Sequence, residues 1–216
     1  MPRESLKNKA ARAERIVNVL KDAFPDARCS LTFESPLQLL IATILSAQCT
    51  DERVNAVTEE LFRVYTSAED FAEAPQAEIE DYIHSTGFFH NKARSIKACC
   101  RALVDVHGGD VPQSMDELIA LAGVGRKTAN VVLGNAFGKE EGVVVDTHVG
   151  RISNHLKLAR QKDPIKVEMD LVKVIPREEW TLFSHLLIRH GRKTCKARKP
   201  DCGTCPIHSD CPSAAR

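Results

Sequence analysis

The sequence predicts an all-α protein, and three observations carry that prediction. Apolar residues recur at helical spacing through most of the 216 residues. Cap residues and glycine stops punctuate those stretches at about one helix length. The one strand-like segment, Val143-Val144-Val145, is three residues long and has no partner with which to form a sheet.

The elements follow in order. Residues 4–22 place Leu6, Ala10, Ala13, Ile16, Val17 and Leu20 on one face of a first helix. Ser35-Pro36 is a cap and first-turn pair opening a second helix that runs to about Ala47. A third covers about 51–64. Pro75 opens another that ends at Gly87, and residues 91–107 repeat the apolar pattern until Gly108-Gly109 stops it. Ser114-Met-Asp-Glu117 has the form of a capping box before a short helix. That helix runs into Leu121-Ala-Gly-Val-Gly125 and a further helix over 126–137. Later helices are expected at 147–158, 164–174 and 178–189, the last ended by Gly191. No internal repeat or low-complexity linker breaks the series.

No apolar run approaches membrane-spanning length. The N-terminal MPRESLKNKAARAE carries charges with no apolar segment behind them, unlike a secretion signal. A soluble cytoplasmic protein with no membrane partner is therefore expected. The net charge of +1 excludes nothing, but its distribution is uneven. Residues 1–21 hold six Lys/Arg against two acids, residues 22–139 ten against seventeen, and residues 140–216 fourteen against ten. Arg189, Arg192, Lys193, Lys196, Arg198 and Lys199 form a run without an acid. Such a run is either a solvated surface or a face that attracts a polyanion.

Four constellations carry chemistry. The last four of eight cysteines are spaced Cys195-x6-Cys202-x2-Cys205-x5-Cys211. Four thiolates in a polar loop suit a structural metal, and spacing alone does not separate an iron–sulfur cluster from zinc. The other four, Cys29, Cys49, Cys99 and Cys100, are scattered and read as ordinary core or surface thiols. Second, Gly123-Val124-Gly125 between two helices allows a tight turn whose backbone N–H groups suit a phosphate. A purely structural turn between helices is the other reading, and Arg126-Lys127 adds weight to DNA. Third, Lys127 falls in the first turn of its helix, where the positive dipole end disfavours a cation and burial would act the same way. A neutral lysine amine can form a Schiff base with a sugar C1′. Asp146 emerges from the apolar Val143-Val144-Val145 as a helix cap, a site carboxylate, or both. Fourth, Gln48 lies in a polar connector between two apolar helices, and physics alone leaves its role open.

The combination resembles the endonuclease III family, in the helix-hairpin-helix superfamily of DNA glycosylases. The resemblance covers nearly the whole length. Its specific parts are Leu-Ser-Ala-Gln-Cys-Thr-Asp at 45–51, Gly-Phe-Phe-His-Asn-Lys-Ala at 87–93, Leu-Ala-Gly-Val-Gly-Arg-Lys-Thr-Ala-Asn-Val-Val-Leu at 121–133, Val-Asp-Thr-His-Val at 145–149 and the cysteine tail. It implies a [4Fe–4S] cluster on Cys195, Cys202, Cys205 and Cys211. It implies two domains with a cleft between them: a helical bundle over 29–139, holding the hairpin motif at about 115–137, and an iron–sulfur domain formed by 1–28 plus 140–216.

Residue by residue, the resemblance makes Lys127 the nucleophile and Asp146 the essential carboxylate. Gln48 would fill the gap left by a flipped base, and Phe88, commonly Leu in relatives, would wedge beside the orphaned partner base. Gly123, Val124, Gly125 and Arg126 would bind phosphate, with Ala122 in place of the usual Pro. His148 matches a cleft position, and Arg192 and Lys193 belong to the basic segment that lies along DNA. The implied activity is a bifunctional DNA N-glycosylase and abasic-site lyase. It would remove oxidised or ring-saturated pyrimidines from damaged double-stranded DNA and nick 3′ to the abasic site by β-elimination, as a monomer associated with the nucleoid. Adenine-removing mismatch relatives usually lack the lysine at 127 and carry a further C-terminal domain. This chain has the lysine and stops five residues after Cys211.

Overall fold

A computed structural model describes residues 4–214. Residues 1–3, the start of the basic N-terminal stretch, lie outside the described residues. Among those described there is no strand, and the chain forms eleven α-helices with short 3-10 turns. Val143, Val144 and Val145 are buried but belong to no strand. No helix among the described residues is long and apolar enough to cross a membrane.

The chain divides into two compact units. One is the continuous segment Cys29–Glu141, and the other joins the chain up to Arg28 with the chain from Gly142 onward. The continuous unit holds α2 (Pro36–Leu45), α3 (Asp51–Val64), α4 (Ala68–Glu73), α5 (Gln76–Ile83), α6 (Phe89–His107), α7 (Met115–Ile119) and α8 (Arg126–Phe137). Its core is led by Leu39, Leu40, Leu61, Phe71, Ile79, Ile96 and Leu133. Helix α2 is apolar on almost every face, so it runs through the middle, packed on α3, α6 and α8. Ser35 caps it by accepting from the Gln38 amide, and Pro36 opens its first turn. It ends at Leu45, two residues short of the expected Ala47, where Ser46 to Cys49 turn out of the helix.

The discontinuous unit holds α1 (Leu6–Ala23), α9 (Thr147–His155), α10 (Pro164–Leu171) and α11 (Trp180–Lys193). Its core joins Ile16 and Leu20 of α1 to Val149, Leu171, Phe183 and Leu187. Arg12 fastens the two ends of the chain. Its buried guanidinium donates to the Leu156 carbonyl at 2.9 Å and the Asp210 carbonyl at 3.0 Å, and pairs with Glu4 at 2.8 Å.

Three expectations are corrected. Gly191 does not end the last helix. It lies buried inside α11, where a Cβ would come within 2.5 Å of His148 Nδ1 and 2.9 Å of Ile152 Cδ1. Close approach of α9, not a helix stop, requires glycine there. Second, the box expected at Ser114 is half formed. The Glu117 amide donates to Ser114 Oγ at 3.3 Å, but the Glu117 carboxylate takes the Ser114 hydroxyl instead of the backbone N–H. A full box occurs at the unexpected helix α4, between Ser67 and Asp70. Third, the segment expected to be helical from Pro75 to Gly87 is split into α5 and a 3-10 turn, His84–Thr86.

Candidate functional site

In the continuous unit the hairpin is built as its glycines require. Leu118, Leu121 and Val124 are buried anchors, while Gly123 and Gly125 face outward. Gly123 has φ +76°, and a Cβ there would lie 2.9 Å from Ser95 Cβ and 3.6 Å from Ile44 Cγ2. The turn is therefore pressed against α6 and α2. Nothing stands within 4 Å of a Cβ placed on Gly125, which caps α8 with no side-chain hydrogen bond. The first amides of α8 thus open to the surface beside a bare glycine, an arrangement that suits an anion. Lys127 is the second residue of α8 and is exposed, not buried.

Gln48 and Phe88 are both exposed and both left-handed, at φ 53° and 50°. Phe88 shows 63% of its surface to solvent, which is costly for an unpartnered aromatic. What holds these two connectors was missed in the sequence. Lys92, 5% exposed, donates from Nζ to the Leu45 carbonyl and to the Thr86 carbonyl, at 2.8 Å each. Burial pushes its ammonium below the usual lysine range. One signal did exist: Lys92 occupies the apolar face of α6 with Ile96, Cys99, Cys100 and Leu103.

In the discontinuous unit Asp146 is the N-cap of α9. Its Oδ1 accepts from the Val149 amide at 2.8 Å. His148, two residues on, is half-buried against Gly191. Burial pushes its imidazole down; Arg151 and Arg192 act in the same direction and Asp146 opposes them. Arg192 and Lys193 are exposed in the last turn of α11, and the Lys193 ammonium lies 5.7 Å from the Phe24 ring centroid. The basic run is not wholly free, since Arg189 is paired with Asp26 at 2.6 Å.

The four tail cysteines line one cavity with Ile152, Leu156, His190 and Ile207. Among the described residues no three Cys, His, Asp or Glu side chains converge tightly enough for a single metal ion. Burial pushes the Cys195 and Cys205 thiols up, so forming thiolates there needs a cation. Arg151 donates to the Cys195 carbonyl at 2.7 Å, and His190 Nε2 lies 3.8 Å from Cys205 Sγ. The buried His190 Nδ1 has no hydrogen-bond partner, and burial pushes this imidazole down to about 4. A ring held neutral beside a sulfur suits a thiolate acceptor. Elsewhere, Cys99 and Cys100 are buried, and burial pushes the Cys99 thiol up to about 12 and Cys100 further. These two are core thiols.

Residues 41–177 match the model of the HhH-GPD superfamily base excision DNA repair proteins. Residues 195–211, the span of the four cysteines, match the iron–sulfur binding domain of endonuclease III. The chain is 55% identical to an endonuclease III of Synechocystis sp. over 207 residues, 96% of this chain and 94% of that protein. It is 44% identical to the endonuclease III of Escherichia coli K12 over 204 residues, 94% of this chain and 96% of that protein. A solved non-covalent endonuclease III–DNA complex superposes with a TM-score of 0.88 at 44% identity, covering 95% of this chain and 96% of that one. A trapped endonuclease III–DNA covalent intermediate gives the same figures, TM-score 0.88 at 44% identity with 95% and 96% coverage. An all-α chain with a hairpin-bearing unit, a four-cysteine loop and these relatives along nearly its full length belongs to the endonuclease III family of base excision DNA repair proteins.

Proposed function

We propose that this chain removes oxidised or ring-saturated pyrimidines from damaged double-stranded DNA and then nicks the strand 3′ to the abasic site, acting as a cytoplasmic, nucleoid-associated monomer. Bifunctional glycosylase and abasic-site lyase activity is the activity of its family. The observation that carries the reading is Lys127, exposed in the first turn of α8 directly after the uncapped Gly123-Val124-Gly125 turn. A phosphate held on those amides brings a deoxyribose to the lysine.

Hairpin amides, Arg126, Arg192 and Lys193 would hold backbone phosphates without reading sequence. Gln48 and Phe88 would fill the space left when the damaged nucleotide leaves the stack, an extrusion that costs least at a poorly stacked lesion. The Lys127 amine attacks C1′; the N–C1′ bond forms as the glycosidic bond breaks, and the base departs with that electron pair. The C1′–O4′ bond then opens to an imine. Loss of a C2′ proton expels the 3′ phosphate by breaking C3′–O3′. The Asp146 carboxylate would offset positive charge developing on the sugar and take up the proton that the amine releases once the N–C1′ bond has formed, passing it to O4′ as the ring opens. His148, neutral at working pH, would position neighbouring groups.

The group that Cys195, Cys202, Cys205 and Cys211 would hold is a [4Fe–4S] cluster. Four cysteines lining one cavity, with the neutral His190 ring beside Cys205 Sγ, suit a thiolate-held cluster. When bound, it supplies four iron–thiolate bonds that fold a polar, basic loop. The absorbance near 400 nm of an iron–sulfur protein, absent from a zinc protein, checks this.

Borohydride trapping on a duplex with one thymine glycol tests the reaction. Wild type should form a covalent adduct and Lys127→Ala none. An adduct only on an abasic-site duplex would keep the lyase and remove the proposed lesion. No adduct on either DNA, with the cluster intact, would overturn the catalytic assignment.

A further inference from the structure

Three non-glycine residues have left-handed backbone among those described: Gln48, Phe88 and Lys157. Lys157 follows the end of α9, a common place for such a residue. The other two are exposed residues in separate connectors, and left-handed backbone is unfavourable for each unless its surroundings enforce it. The chain immediately before both is held by one side chain. Leu45, the last residue of α2, precedes Gln48 by three positions, and Thr86 precedes Phe88 by two. Lys92 Nζ lies 2.8 Å from the carbonyl oxygen of each.

The contact is chemically specific. Carbonyls at a helix C-terminus lack helical partners and carry the negative end of the dipole, so a buried ammonium is the group that satisfies them best. The Lys92 amide also donates to the Phe88 carbonyl at 3.1 Å, beside the Asn91 amide, in the first turn of α6. One residue therefore fixes the backbone of Phe88 from the helix side and that of Thr86 from the connector side. The Thr86 hydroxyl completes the brace by donating to the Ile83 carbonyl at 2.8 Å.

We infer that Lys92 is a positioning residue that clamps the Gln48 and Phe88 connectors into one rigid pair, so that both side chains enter the duplex together when a nucleotide is extruded. The inference rests on the proposed duplex-filling role of Gln48 and Phe88. Its consequence is selective. Extruding an intact damaged base needs both side chains in place, whereas a site that has already lost its base depends on them less.

The test places 2-aminopurine opposite thymine glycol and reads its fluorescence on binding, beside base removal and incision of a preformed abasic site. In Lys92→Met, with helical circular dichroism and absorbance near 400 nm retained, the fluorescence rise should fall at least fivefold. Base removal should fall at least tenfold and abasic-site incision less than threefold. Lys92→Arg, which keeps a cation with several donors, should recover base removal to within about threefold of wild type. Lys92→Gln keeps a donor amide but loses the charge and some reach, and should show a smaller loss of fluorescence, at least twofold, which decides the matter even if the methionine variant does not fold. An unchanged rise in Lys92→Gln overturns the inference, as does an equal loss of both activities in Lys92→Met that Lys92→Arg does not recover. Gln48→Ala and Phe88→Ala are read alongside. If neither changes the fluorescence rise, the duplex-filling reading fails; if they lower it and the Lys92 variants do not, only the clamp fails.

Discussion

Asp146 shows how one side chain serves two purposes that substitution can separate. As the N-cap of α9 it accepts from the Val149 amide, and asparagine does that nearly as well as aspartate while carrying no charge. Asp146→Asn should therefore unfold within about 0.5 kcal/mol of wild type, whereas Asp146→Ala should lose about 1 kcal/mol. Both should lower borohydride adduct yield at least tenfold. Wild-type yield from Asp146→Asn would reduce the residue to a cap. Gly191 is the other decisive single position. Alanine would gain about 1 kcal/mol of helix propensity, but its methyl would meet the His148 ring and Ile152. Overpacking of that kind costs about 1–3 kcal/mol, so the urea midpoint of Gly191→Ala should fall, and His148 should be displaced.

Elements were legible in proportion to how local their causes are. Helix α2 announces itself through Ser35-Pro36 and seven consecutive buried residues, and α3 begins and ends where its period does. The cysteine tail and the Gly-Val-Gly turn are equally local, since ligand spacing and turn chemistry are written within a few residues. Helix α4 escaped because six residues are too few to show a period, and because Asp70 completes its box where glutamate is the usual signal. Gly191 misled for the reverse reason: a glycine inside a helix reads as an end unless the helix crossing it is known. The Lys92 brace was beyond reach because one of its acceptors lies 47 positions away in sequence. At this scale the full Ser67–Asp70 box matters to α4, which packs on α6. Ser67→Ala should cost about 1 kcal/mol and speed amide exchange in α4 more than in α2.

The two units differ sharply in charge. The discontinuous one has 21 Lys/Arg against 12 acids and the continuous one 9 against 17, so a near-neutral total conceals a cationic body. DNA affinity should fall steeply with salt, and Lys193→Ala should lower the slope of log K against log salt by about one. The molecule should also lose stability on mild acidification. His148 and His185 are both pushed below the usual histidine value by burial, so the unfolded chain binds more protons between those lowered values and about 6.5. Their contribution is complete above about pH 6.5 and is lost as pH falls through the lowered values. Urea midpoints should drop between pH 7.5 and 5.5, a window above ordinary carboxylate titration, and His148→Gln should flatten the slope. The Arg12 contacts carry a consequence for how the protein is made. Helix α1 is synthesised before the Cys29–Glu141 segment, yet the carbonyls that Arg12 holds belong to Leu156 and Asp210. At about 5–20 residues per second the Cys29–Glu141 segment is complete seconds before those partners exist. Helix α1 must wait, its apolar face uncovered, until α9 and α11 are synthesised. A ribosome stalled before α9 would hold one finished body and one exposed helix, and chaperone binding at α1 would be the mark of that interval.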